Sequence, residues 1–200
     1  MNTIKTEKLD TRDFITIGIF AAISLVIFFV IGGAAGMTLV GTVANIPITV
    51  FFTSIAYMLL VSKVRKRGTF LIMGTISALP GLMAANVIGV MASVVGWLVA
   101  EIVVSANHYK NKKVLIFAYV LGCTLHSAGY TLPMYLSNAQ YLIDRQEIFH
   151  LTDEALAVYL KMFTWPMFFS MVALTVVTSF LGAVLSTRIL KKHFEKAGLL

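Results

Sequence analysis

The chain has 200 residues, of which 58% are hydrophobic and 12% charged, with a formal net charge of +7 and one cysteine. A globular domain carries roughly half apolar and about a quarter charged residues, so this composition excludes a soluble fold and marks an integral membrane protein. The lone thiol, Cys123, excludes an internal disulfide, and positive charge gathered in short clusters between apolar runs reports topology rather than a nucleic-acid partner.

Those clusters are Lys5, Lys8 and Arg12; Lys63, Arg65, Lys66 and Arg67; Lys110, Lys112 and Lys113; and Arg188, Lys191, Lys192 and Lys196, together 14 of the 16 lysines and arginines. If all four face the cytoplasm, each interval between them crosses the bilayer an even number of times. Two crossings per interval predict an all-α bundle of six transmembrane helices with both termini cytoplasmic. No linker divides it, so a single membrane domain, residues 1–200, is expected.

In chain order, the first span covers about 13–31, and Asp10, Thr11 and Asp13 offer side-chain oxygens suited to a helix start. No small-residue cleavage site follows, so this run is expected to be retained. The small residues from Gly32 to Gly36 lead toward Asn45 and Pro47. Residues 32–46 therefore read as an outer loop or broken helix that could gate a site. The second span covers about 47–62. The third, 69–83, and the fourth, 85–106, meet near Pro80-Gly81, and together they would reach roughly 57 Å as helix, about two passes of a ~30 Å core. The fifth covers 114–135 and the sixth 165–190, with Pro166 in the first turn, where proline costs least. The outer loop 137–164 is the acidic one. Within it Leu156, Tyr159, Leu160 and Phe163 recur at three- and four-residue spacing, the pattern of a short lid helix with one apolar face.

Polar residues inside apolar runs are functional candidates, because lipid offers them no partner. His126 lies twelve residues into the fifth span, about 18 Å deep from the cytoplasmic side. It shares a face with Tyr119, Cys123 and Tyr130, while leucines take the other face. Two readings stand: an interhelical hydrogen bond, or a ligand pocket in the outer half. The pocket reading gathers Asn45, Asn86, His126, Tyr130, Tyr135 and Trp165 at similar depth. Its aromatic character favours a small, ring-containing, uncharged or weakly charged organic ligand. For Tyr135 and Trp165 an interfacial aromatic belt is the competing explanation.

Glu101 is the one carboxylate well inside an apolar run. It lies near the cytoplasmic surface, where a helix-end or partner contact is favoured over a proton relay. The small residues Ala85, Gly89, Ser93 and Gly96 permit close helix packing, and Gly18 with Ala22 on the first span allows either packing or docking of another membrane protein. The phosphate-binding G-x-x-x-x-G-K-[ST] loop, the H-E-x-x-H zinc motif and the G-x-S-x-G nucleophile turn are absent from the sequence. No enzymatic activity is therefore expected. No cofactor is expected either: Met37, Met83, Met91, Met134, His126 and His150 include the residue types of axial haem ligands, but no attachment motif accompanies them.

The chain resembles the substrate-binding S components of energy-coupling-factor transporters, most closely the Trep_Strep or MptD-like family. The segments that carry this are Asp13 to Ile23 (DFITIGIFAAI), Lys63 to Gly68 (KVRKRG) and Gly96 to Glu101 (GWLVAE). The resemblance implies a six-helix subunit that captures a micronutrient from outside. It also implies that the subunit joins a transmembrane coupling protein and two ATPase subunits, which would hydrolyse the ATP. In such proteins the first span docks the coupling protein through an alanine-x-x-x-alanine pattern, and here Gly18 stands at the first position and Ala22 at the second.

Overall fold

The computed structural model describes residues 8–137, 140–148 and 150–190. Lys5, Lys191, Lys192 and Lys196 of the basic clusters lie outside the described residues, as do positions 138, 139 and 149 of the outer loop. Among the described residues every regular element is helical, the expected outcome where backbone groups must find partners without water.

Helix α1 runs Thr11–Gly36 and passes through a wide π-helical turn at Phe28–Gly32. After α2 (Leu39–Val43) come α3 (Asn45–Lys63) and α4 (Thr69–Ala78), the last extended by a tight 3-10 turn, Leu79–Ala84. Helices α5 (Val87–Ala106) and α6 (Lys112–Leu136) follow. The connection after α6 holds α7 (Gln140–Ile143) and α8 (Asp153–Met162), and α9 (Trp165–Ile189) is the last described helix.

Five of these, α1, α3, α5, α6 and α9, are long and apolar enough to cross a membrane. The sixth expected span is shorter: α4 with its 3-10 turn covers Thr69–Ala84, about 24 Å against a core of ~30 Å. Pro80 supplies no backbone donor, the turn tightens there, and Ala85 leaves it at φ 50°. Of the two readings of 32–46, the structure has the broken helix: the π-turn carries α1 on to Gly36, and the short α2 follows before α3.

The bundle closes as a ring in which α1 touches α3 and α4, α4 touches α5, α5 touches α6, α6 touches α9, and α9 returns to α3. Small residues make these contacts close. A Cβ on Gly96 would stand 2.7 Å from that of Leu125, and one on Gly182 2.6 Å from the Phe51 carbonyl oxygen. Ser54 and Ser186 hydrogen-bond between α3 and α9 at 2.9 Å. The Trp97 ring fills a slot left by Gly74 and Gly122, whose added Cβ atoms would fall 2.1 and 2.5 Å from it, and it stacks on Tyr57 with centroids 5.0 Å apart.

The N-terminus of α1 carries a reciprocal cap, Asp10 accepting from the Asp13 backbone and Asp13 from that of Asp10. Lys66 of the α3–α4 connection adds an ion pair to Asp13 at 2.6 Å. The backbone bond from Asp13, and then Lys66, hold the Asp10 carboxyl below its ordinary range. The outward side of α1 is unpacked: Gly18 and Ala22 are exposed, with Ile15, Ile19 and Ile23 around them, while Ile17, Ala21 and Ser24 are buried.

Candidate functional site: a covered cavity at one end of the bundle

A cavity of about 370 Å³ opens where α3 and α9 begin and α6 ends. His126, Tyr130, Thr131 and Tyr135 of α6 form one wall. Opposite are Phe28 of the π-turn, Thr42 of α2 and Asn45 of α3, while Ser77 and Gly81 flank it from the α4 side. Leu142, Leu151, Tyr159 and Phe163 cover it from the connection between α6 and α9. No lining residue carries a formal charge, so an organic ligand there meets apolar surface, rings, hydroxyls and one amide.

Below it lies a smaller chamber of about 50 Å³, bounded by Tyr57, Trp97, Tyr119 and Cys123 with the hydroxyls of Ser24, Thr49 and Thr53. His126, Phe28, Ile46 and Ser77 line both spaces. The imidazole therefore stands at the neck between them. Its Nδ1 is buried and has no hydrogen-bond partner, and neither has the Trp97 Nε1 beside the inner chamber. Buried polar atoms are almost always paired. The two orphans, one at the neck and one at the inner chamber, mark places where another polar group is wanted.

The interhelical hydrogen bond that competes with the pocket reading for His126 is not found among the described residues. The ring instead lies 5.5 Å from that of Tyr130 and 6.4 Å from that of Trp97, centroid to centroid. Tyr130 in turn covers Gly81, whose Cβ would fall 2.6 Å from its Cε2. Asn45 donates from Nδ2 to the Gly32 carbonyl oxygen at 2.7 Å. This bond ties the start of α3 to the end of the π-turn.

Asn45, His126, Tyr130 and Tyr135 thus share one cavity. Trp165 stands behind the wall, 45% exposed and packed on Tyr135 with centroids 6.1 Å apart. Asn86 is also outside the lining. Only 1% exposed, it accepts from the Gly89 amide at 3.0 Å and donates to the Tyr130 carbonyl oxygen at 2.9 Å. Both ends of the amide are therefore occupied in joining α5 to α6. Asn86→Ala should cost about 1–3 kcal/mol by leaving the Gly89 amide uncapped and the α5–α6 contact without its hydrogen bond, read as a lower thermal midpoint in detergent.

The cover is pinned. The Tyr141 hydroxyl donates to the Ala84 carbonyl oxygen at 3.0 Å, and Arg145 donates to Ala84 and Ala85 at 3.2 Å each. These carbonyls end the 3-10 turn, where no further helix uses them. The guanidinium also sits 3.9 Å over the Tyr141 ring. Helix α8 starts at its cap Thr152 and buries Tyr159 with Leu156 and Phe163 packed nearby. Leu160, expected on the same face, is 37% exposed.

Sequence reasoning did not reach Phe28, Trp97 or Tyr57 as cavity walls. Trp97 gave a usable signal, a lone indole deep in an apolar run, but the glycines that receive it lie on other helices.

Five helices of membrane-spanning length around a covered, uncharged cavity define a multi-pass membrane protein. A family model described as a hypothetical bacterial integral membrane protein, Trep_Strep, matches residues 11–196, and the chain belongs to that family. Neither the curated proteins nor the solved structures give a match.

Proposed function

We propose that this protein is the substrate-specific, membrane-embedded binding subunit of an ATP-driven importer of the energy-coupling-factor type. The reading takes α4 with its turn as a sixth, short span, both termini as cytoplasmic, and the chain as one membrane domain. The outer cavity receives a small organic ligand from outside, with Asn45, His126, Tyr130 and Tyr135 as its contacts. The observation that carries the proposal is the covered cavity of about 370 Å³ without a charged lining residue, a size suited to a small organic molecule. A bare ion would find no compensating charge there.

ATP-driven transport of such a ligand requires partners, because no phosphate-binding loop occurs in the sequence. A transmembrane coupling protein and two ATPase subunits supply that function, and the exposed Gly18–Ala22 face of α1 is the docking surface for the coupling protein. The chain itself is then a binding protein rather than an enzyme and needs no cofactor.

Mild solubilisation from the native membrane is expected to co-isolate the coupling protein and both ATPases. Mass spectrometry of the purified subunit should reveal one retained organic molecule. Flux of that molecule into ATP-free liposomes containing this chain alone would overturn the proposal in favour of an autonomous carrier.

A further inference from the structure

A second cavity, of about 250 Å³, lies at the opposite end of the bundle, where α3 and α9 end and α6 begins. Its floor is apolar, built by Met58 and Val61 of α3, Leu115 of α6 and Leu190 just beyond α9. Arg65, Lys110 and Lys112 stand among the lining residues, none of which is acidic. Nothing in the outer-cavity reading uses this space.

The basic residues are carried on ordered backbone. Arg65 donates from Nε to the Ser62 carbonyl oxygen at 3.2 Å, and the Ser62 hydroxyl is itself held by the Leu59 carbonyl at 2.7 Å. Lys110 follows two residues in the left-handed region, His108 at φ 51° and Tyr109 at φ 57°. Such conformations persist in non-glycine residues only where surrounding contacts impose them. Here the Tyr109 hydroxyl donates to Glu101 at 2.6 Å, and the ring forms part of the cavity wall.

We propose that this cavity binds the head group of an anionic phospholipid, with the phosphate against Arg65 and Lys110 and the glycerol end of the acyl chains over the apolar floor. Arginine and lysine both recognise phosphate, the first through its planar fork of donors and the second as a point charge. A free phosphate would gain nothing from the floor of Met58, Val61 and Leu115. A lipid uses both halves, and basic pockets between helix ends at the membrane surface suit such head groups. The assignment does not depend on the importer reading.

The test uses the purified full chain in vesicles of phosphatidylcholine, alone or mixed with phosphatidylglycerol, with retained phosphatidylglycerol measured by native mass spectrometry. The double variant Arg65→Gln, Lys110→Gln should bind phosphatidylglycerol roughly thirtyfold more weakly, the effect of losing two charge-assisted contacts to one phosphate. A control, Arg12→Gln with Arg67→Gln, removes the same charge from exposed positions outside the cavity lining and should retain the lipid nearly as wild type does. Equal loss in the two double variants would overturn the site, since it would reduce the effect to general surface charge. In phosphatidylcholine vesicles, thermal protection by inorganic phosphate equal to that given by phosphatidylglycerol would overturn the lipid assignment.

Discussion

Replacing Glu101 by alanine is expected to cost about 3–5 kcal/mol, a large part of the roughly 5–15 kcal/mol that separates folded from unfolded states in most domains. Helix α4 begins after Gly68, which has φ 94° and no side chain to cap the first amides. Glu101, reaching across from α5, does so instead. Its Oε2 accepts from the Phe70 amide at 3.0 Å, the Leu71 amide at 3.4 Å and the Tyr109 hydroxyl at 2.6 Å, while the Ser105 hydroxyl donates to Oε1. A carboxylate is well placed at the positive end of a helix dipole. Burial, and next the Glu101 carboxylate itself, hold the Tyr109 phenol above its ordinary range, so it remains a donor.

Alanine would leave two helix amides and a buried phenol without their acceptor. Glu101→Gln keeps one acceptor oxygen and should lose about half as much stability. Thermal midpoints measured in detergent by loss of the monodisperse chromatographic peak would separate the three proteins. An alanine variant as stable as wild type would refute the capping role. The geometry also bears on proton transport: this carboxylate is occupied by four donors near a helix end, whereas a relay needs a group that can exchange its partners.

The helices were legible because their signals are local. Apolar runs interrupted by Lys63–Arg67 and Lys110–Lys113 describe where chain can lie in lipid and where it cannot. Asp10 and Asp13 announced a helix start, and Pro80-Gly81 a break, by chemistry that acts within a few residues. The same locality explains the misses. Nothing in Phe28-Phe29-Val30-Ile31-Gly32 distinguishes a π-turn from an ordinary one, because composition is unchanged when the hydrogen-bond step widens. Asn86 and Asn45 look alike in sequence, each a polar residue beside an apolar run. Only the meeting of α5 with α6 shows that one amide is consumed at both ends, while the other borders the cavity and holds Gly32. Glu101 could be read as a helix-end contact, but which helix it served depended on α4 packing against α5.

His126→Phe is expected to raise the thermal midpoint of the ligand-free protein while lowering affinity for the retained molecule roughly tenfold to hundredfold. Phenylalanine preserves a ring at the neck of the cavity, so the contacts to Tyr130 and Trp97 persist. It removes Nδ1, which is buried without a partner. A buried group in that state costs about 1–3 kcal/mol of desolvation, and relief of part of it should stabilise the empty fold. The same substitution deletes the polar contact that a ligand would complete. Opposite signs for stability and binding are the signature of a group kept for function. Midpoints of the ligand-free proteins, alongside mass-spectrometric occupancy after purification, give both readouts on one preparation. A fall in midpoint with unchanged occupancy would make His126 a packing residue, and the cavity would then rest on Asn45, Tyr130 and Tyr135.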